Sequence, residues 1–126
     1  MNVLLDTCAL LALARGELPA AAAHALRGAQ EATVSVVSGW EVAIKTAAGK
    51  LRLHAPPAQW FAGLTERYAL RDVPLDVRTA CAAAALPFIH RDPFDRVLVA
   101  LALANGWSVL TSDDNIPKYP GVHTIW

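Results

Sequence analysis

Four carboxylates, far apart in the chain, sit in comparable local settings. Asp6 ends the apolar run NVLL, and Glu41 lies in SGWE after the run ATVSVV. Asp95 lies in DPFD, and Asp113 follows WSVLT in the stretch LTSDD, with Asp114 beside it. Acids in such places can do either of two things. In the first turn of a helix they accept backbone N–H bonds and offset the helix dipole, by about 0.3–1 kcal/mol each. Asp92 before Pro93 with Asp95 at the third helical position has this layout, as do Ser38 with Glu41 and Thr111 with Asp114. Gathered at one point, the same acids repel, and close like charges push their pKa values up. A hard divalent cation removes that conflict, because Mg²⁺ and Mn²⁺ prefer oxygen ligands. Such an ion lowers the pKa of a bound water, orients a phosphodiester and stabilises its developing charge. The two roles are compatible, since each carboxylate has two oxygens.

The elements that must position these acids are legible as alternating strands and helices. Strands are predicted at 2–5, 32–37, 107–111 and near 123–126, with 71–76 a short strand or edge segment. Helices are predicted over CALLALA, 19–30, 38–49, 56–70, 76–87 and 92–105. Strands separated by helices imply βαβ units, hence an α/β fold with a parallel sheet covered on both faces. The strands read as continuous apolar runs, as a doubly covered sheet requires. Residues 97–104 are apolar nearly all round, so that helix is expected to be sandwiched. In an open parallel sheet the carboxyl ends of the strands share one edge, and ligands bind in the crevice there. Acids remote in sequence can meet at that edge.

Composition narrows the partners. At 126 residues the chain fits one domain, 1–126. Lys+Arg and Asp+Glu are 11 each, so the general basic footprint of a nucleic-acid binder is absent and a polyanion must be met by a local patch. Lys45, Lys50 and Arg52 could form one, and Arg91 and Arg96 flank the acidic start of the 92–105 helix. The plainer readings are a Glu41–Lys45 salt bridge four residues apart, and arginines that balance Asp92 and Asp95. Trp40, Trp60 and Tyr68 could stack on bases or belong to core or interface. With 55% apolar residues and a mean hydropathy of +0.34, some apolar surface is expected to meet a partner. Cys8 and Cys81 have no metal-ligand spacing and are read as reduced and structural. The four histidines are scattered, which gives little support to zinc, and His90 is placed at the surface. The opening residues lack a basic region and are interrupted by Asp6, and no run has membrane-span length. A cytoplasmic location is expected.

In LLDTCALLAL, SVVSGWEVAIKTAAGKLRL, LPFIHRDPFDRVLVALAL and VLTSDDNIPKYPGV, in this order and spacing, the chain resembles the PIN-domain ribonucleases. It is most similar to the VapC-type toxins of toxin–antitoxin pairs, over essentially its whole length. One departure is Val99-Ala100-Leu101-Ala102, where the family often has a Gln. The resemblance implies a three-layer α/β/α sandwich with a central parallel sheet, and metal-dependent endonucleolytic hydrolysis of RNA. It implies Asp6 and Asp95 as direct Mg²⁺ (or Mn²⁺) ligands, and Glu41 and Asp113 as ligands through water or as groups that position the nucleophile. It favours Asp113 over Asp114. Thr7, Ser38 and Thr111 could orient acids or waters or be plain cap or turn residues, and Lys45, Lys50, Arg91 and Arg96 are the candidate RNA contacts. A homodimer and a cognate antitoxin lying across the site are implied as well. Two other classes fit less well. A haloacid-dehalogenase-like phosphatase needs a second Asp two residues after the first, where this chain has Cys8. A receiver-like domain pairs two acids at its first strand and uses a late Lys, whereas Lys118 lies in the loop-like NIPKYPG. A PIN-like binding module would have no need to keep all four acids.

Overall fold

Alternation along the first strand divides the interior in two. In β1 (Asn2–Leu5), Val3 and Leu5 join one core cluster while Leu4 joins the other, because successive side chains of a strand point to opposite faces. The computed structural model describes residues 1–126. The chain continues through α1 (Thr7–Arg15), α2 (Ala20–Gly28), β2 (Glu31–Ser35), α3 (Val36–Ala47) and α4 (Pro57–Arg67). It then forms β3 (Leu70–Val73), α5 (Val77–Ala84), α6 (Pro93–Asn105), β4 (Ser108–Leu110), a 3₁₀ turn (Ile116–Lys118) and β5 (Thr124–Ile125). All strand pairs are parallel, in the order β3-β2-β1-β4-β5.

The first cluster packs Leu10 and Leu13 of α1, Ala25 of α2 and Trp60 and Leu64 of α4 against one face of the sheet. The second packs Ala83 of α5 and Leu98 and Leu101 of α6 against the other. The result is the expected three-layer α/β/α sandwich. Every residue of α6 from Arg96 to Ala102 is buried, because Val99 also packs on Ile116 and Tyr119 behind the helix. No helix is long and apolar enough to cross a membrane.

The strand order has a direct consequence for the site. The chain winds outward from β1 to β2 and β3, then returns to place β4 on the other side of β1. The gap between the ends of β1 and β4 is a topological switch point, where α/β sheets bind ligands. Receiver-like domains use the order 2-1-3-4-5 instead. Register makes the strand ends level: Leu5 pairs with both Val34 and Leu110, so Asp6, Ser35 and Thr111 emerge side by side.

Local expectations hold where capping chemistry is unambiguous. Asp92 caps α6 as expected, by accepting the Phe94 N–H at 2.9 Å, and the structure adds a cap at the start of α1, where Asp6 accepts the Ala9 N–H at 2.8 Å. Asp95 falls in the first turn of α6, as expected. Two other capping expectations are corrected. β2 ends at Ser35, not at 37, and the Ser35 hydroxyl accepts the Val37 N–H at 3.1 Å. Ser38 therefore lies inside α3, and Glu41 sits in the second turn, beyond reach of a capping role. No α-helix follows TSDD. Instead Thr111 Oγ1 accepts the Asp113 N–H at 3.0 Å and Asp113 Oδ1 accepts the Asn115 N–H at 2.8 Å, while Asp114 is exposed and caps nothing. Boundaries also tighten: α4 stops at Arg67 because Ala69 turns the chain at φ +52° into β3, and α5 stops at Ala84.

Candidate active site

Asp6, Glu41, Asp95 and Asp113 line one cavity of about 310 Å³ at the switch point, together with Thr7, Cys8, Lys45, Asp92 and Ser112. Each acid arrives from a different element: the end of β1, the second turn of α3, the first turn of α6 and the turn after β4. A larger cavity of about 760 Å³ lies at the opposite strand ends, around Glu31, Ala32 and Ala69. Its single carboxylate, Glu31, is bonded to Arg71 Nε at 2.8 Å, so it lacks convergent acids.

Asp6 is almost fully buried, and its Oδ1 accepts both the Ala9 N–H and the Cys8 thiol at 2.9 Å. Burial raises its pKa, against the hydrogen bonds from Cys8, Thr111 and the Ala9 N–H. Cys8 is held as a donor: burial, then the Asp6 charge, push its thiol up to about 11. Glu41 is fixed at both oxygens, accepting the Thr7 hydroxyl at 2.6 Å on Oε1 and facing Lys45 Nζ at 2.8 Å on Oε2. Ser38 lies behind Thr7, with the two hydroxyl oxygens 3.1 Å apart. The Glu41 carboxylate raises the Lys45 pKa, so the ammonium stays charged.

Asp95 has the least comfortable position. Burial, then the charge of Asp92, a hydrogen bond with Asp113 and the charges of Asp113 and Asp6 push its carboxyl up to about 8. His90 Nδ1 lies 3.7 Å from Asp95 Oδ2, but it already accepts the Asp92 N–H at 3.0 Å. That nitrogen therefore presents a lone pair rather than a proton, and the 3.7 Å contact is not an ion pair. One ligand atom from each of His90, Asp95 and Asp113 lies within 4.8 Å of the others. Such a donor set fits a divalent cation: crowded carboxyl groups, one holding its proton to neutral pH, relax when a cation takes the proton's place.

A carboxyl whose native pKa exceeds its unfolded value holds its proton more tightly in the folded chain. The stability Asp95 contributes is complete below its unfolded pKa of about 4 and is lost as pH rises through about 8. The metal-free protein is therefore expected to melt at progressively lower temperature across that window. Saturating Mn²⁺ should flatten or reverse the trend, because binding stabilises the ionised acids. Thermal melts with EDTA and with Mn²⁺ check this. A flat metal-free profile would count against the crowding.

Other expectations divide. Thr7, Ser38 and Thr111 are buried at the site's base. Lys45 lines the cavity, in the salt bridge that was its plainer reading. Lys50 is exposed and outside it, and Arg91 sits exposed in an adjoining depression with Phe88, Ile89 and His90. Arg96 is corrected: it is buried and donates to the carbonyls of Pro87 and Leu86 at 2.9 and 2.8 Å, so it is not available to RNA. Trp60 is core, whereas Trp40 is exposed and packs edge-on against Phe94. His90 is half-buried among the acids rather than at the open surface, and Cys8 and Ser112 line the site unforeseen. The one local signal was adjacency: Cys8 follows Asp6 by two residues, and Ser112 precedes Asp113.

A family model for the PIN domain matches residues 3–122. Ribonuclease VapC22 of Mycobacterium tuberculosis is 31% identical over 112 residues, spanning 86% of this chain and 85% of its own. Among solved structures, VapBC2 from Rickettsia felis, bound to a DNA fragment from its promoter, superposes with a TM-score of 0.71 at 11% identity, over 98% of this chain and 97% of that one. A toxin–antitoxin complex from Klebsiella pneumoniae gives 0.67 at 18% identity, over 95% and 94%. The structural likenesses speak for the fold, and the sequence match extends through all four acid-bearing segments: this chain belongs to the PIN-domain family.

Proposed function

We propose that this chain is a metal-dependent endoribonuclease and the toxin of a toxin–antitoxin pair, with Asp6, Glu41, Asp95 and Asp113 as its catalytic acids. The observation that carries the reading is the convergence of these four acids in one cavity at the switch point of a PIN-family sheet. The ribonuclease relative supports RNA as substrate, and the toxin–antitoxin neighbour supports an antitoxin partner. Asp6, Asp95 and Asp113 would hold a Mg²⁺ or Mn²⁺ ion, with His90 beside them. Once bound, such an ion supplies an activated water and offsets charge developing on the phosphodiester.

The chain's own groups do the rest. Thr7 and Lys45 fix Glu41 so that its carboxylate edge faces the cavity in one orientation. The first turn of α6 and the start of α1 point positive dipole ends at the cavity, which favours a bound phosphate group. Arg91, exposed beyond the cavity rim, and Lys50, exposed in the turn after α3, are the candidate contacts to the RNA strand. Val36, Trp40 and Ile44, four residues apart on α3, leave an exposed apolar stripe that supports a homodimer through this helix. A cytoplasmic location belongs to the same reading, and the absence of a membrane-spanning helix is compatible with it. Incubating the purified protein with RNA should give endonucleolytic cuts that EDTA abolishes and Mg²⁺ or Mn²⁺ restores. Cleavage that survives EDTA would end the metal reading, and absence of cleavage with either ion would favour a binding module.

A further inference from the structure

We propose that the Lys45 ammonium occupies the place of a second cation, so that the centre takes one divalent ion rather than two. This rests on the metal-dependent reading above. Five carboxylates line the cavity (Asp6, Glu41, Asp92, Asp95 and Asp113), and Lys45 is the one cationic side chain among its lining residues. The acids fall into two loci. At one, ligand atoms of His90, Asp95 and Asp113 lie within 4.8 Å of one another, with no ammonium or guanidinium bonded to them. At the other, both Glu41 oxygens are engaged, Oε1 by the Thr7 hydroxyl and Oε2 by the Lys45 ammonium at 2.8 Å.

Centres that use a pair of metal ions set them roughly 3.5–4 Å apart, held by acids on both sides. A second ion here would need the oxygens of Glu41. The ammonium already holds one, and its charge opposes a second divalent ion nearby. Lysine suits the task, because its ammonium is a compact point charge with three donors. Lys45 reaches the locus from one turn further along α3, so its charge cannot diffuse away. A plain surface pair four residues apart on a helix would contribute little and would leave ion binding untouched. This pair differs, since the Glu41 side chain is 8% exposed and opens onto the same cavity as the other acids.

The test counts bound ions rather than turnover. The full chain is titrated with Mn²⁺ while free Mn²⁺ is followed by solution EPR, with circular dichroism to confirm folding. The wild type and Lys45→Arg should saturate at one ion per chain. Lys45→Met should saturate at two, and adding Glu41→Gln to it should return the count to one. Lys45→Gln serves the same comparison if the Met variant does not fold. Two ions on the wild type, or one on the folded neutral variants, would overturn the inference. A wild type that binds no Mn²⁺ would instead overturn the metal-dependent reading, and the inference with it.

Discussion

Asp95→Asn is expected to reduce RNA cleavage by about 10³-fold or more while leaving the metal-free protein at least as stable as the parent. The substitution removes a charge and keeps the shape. Catalysis through a bound cation depends on that charge, and loss of several kcal/mol of transition-state stabilisation corresponds to this factor. Folding does not depend on it. The Asp95 carboxyl is crowded by Asp92, Asp113 and Asp6 and holds its proton up to about pH 8, so at neutral pH the amide replaces a group that is already uncharged, and at higher pH it relieves repulsion. The amide can still donate toward Asp113.

Asp6→Asn should cut activity as deeply, because its charge is equally part of the cavity. Stability should change little, since Asn caps helices as well as Asp and the retained oxygen can still accept the Ala9 N–H. Single-turnover cleavage and thermal melts on the same preparations check both variants. An Asp95→Asn protein within about tenfold of wild-type activity would remove Asp95 from the proposed machinery.

Arg96→Met should give the largest loss of stability, about 3 kcal/mol, and lower the melting temperature by roughly 10 °C. The guanidinium is buried without a carboxylate partner. Its charge is met by carbonyl oxygens: Nη1 donates to Pro87 at 2.9 Å and to His90 at 3.4 Å. Nη2 donates to Leu86 at 2.8 Å and to Ala84 at 3.3 Å. Two of these carbonyls lie at the end of α5, where the helix dipole is negative and a cation is favoured. Removing the fork leaves several carbonyls without partners and frees the segment between α5 and α6.

That segment carries His90 and Asp92, so activity should fall along with stability. Arg96→Lys should recover only part of either, because a point charge cannot replace a planar fork with five donors. Arg91→Ala is the comparison. That side chain is exposed, so its loss should shift stability by no more than about 0.5 kcal/mol. A melting temperature for Arg96→Met equal to that of Arg91→Ala would show that the carbonyl cage is not what holds the segment.

The sequence alone determined what depends on near neighbours. Apolar runs and their spacing marked the parallel strands and the helix that is buried all round. Asp92 announced its cap because a cap bonds only two or three residues away. The four acid-bearing segments carried the resemblance to the family. Only the tertiary structure decided which groups meet across the sheet. Thr7 finds Glu41 from 34 residues away, and the return of the chain beside β1 sets Asp113, not Asp114, against Asp6 and Asp95. The sequence pointed to Ser38 as the cap of α3, and the length of β2 put Ser35 there instead. Arg96 looked like a surface cation because its partners are backbone carbonyls, which every residue has and no composition reveals. Local chemistry is written in the order of residues. Which distant groups share a cavity follows from strand order and register, and those are fixed by packing the whole chain.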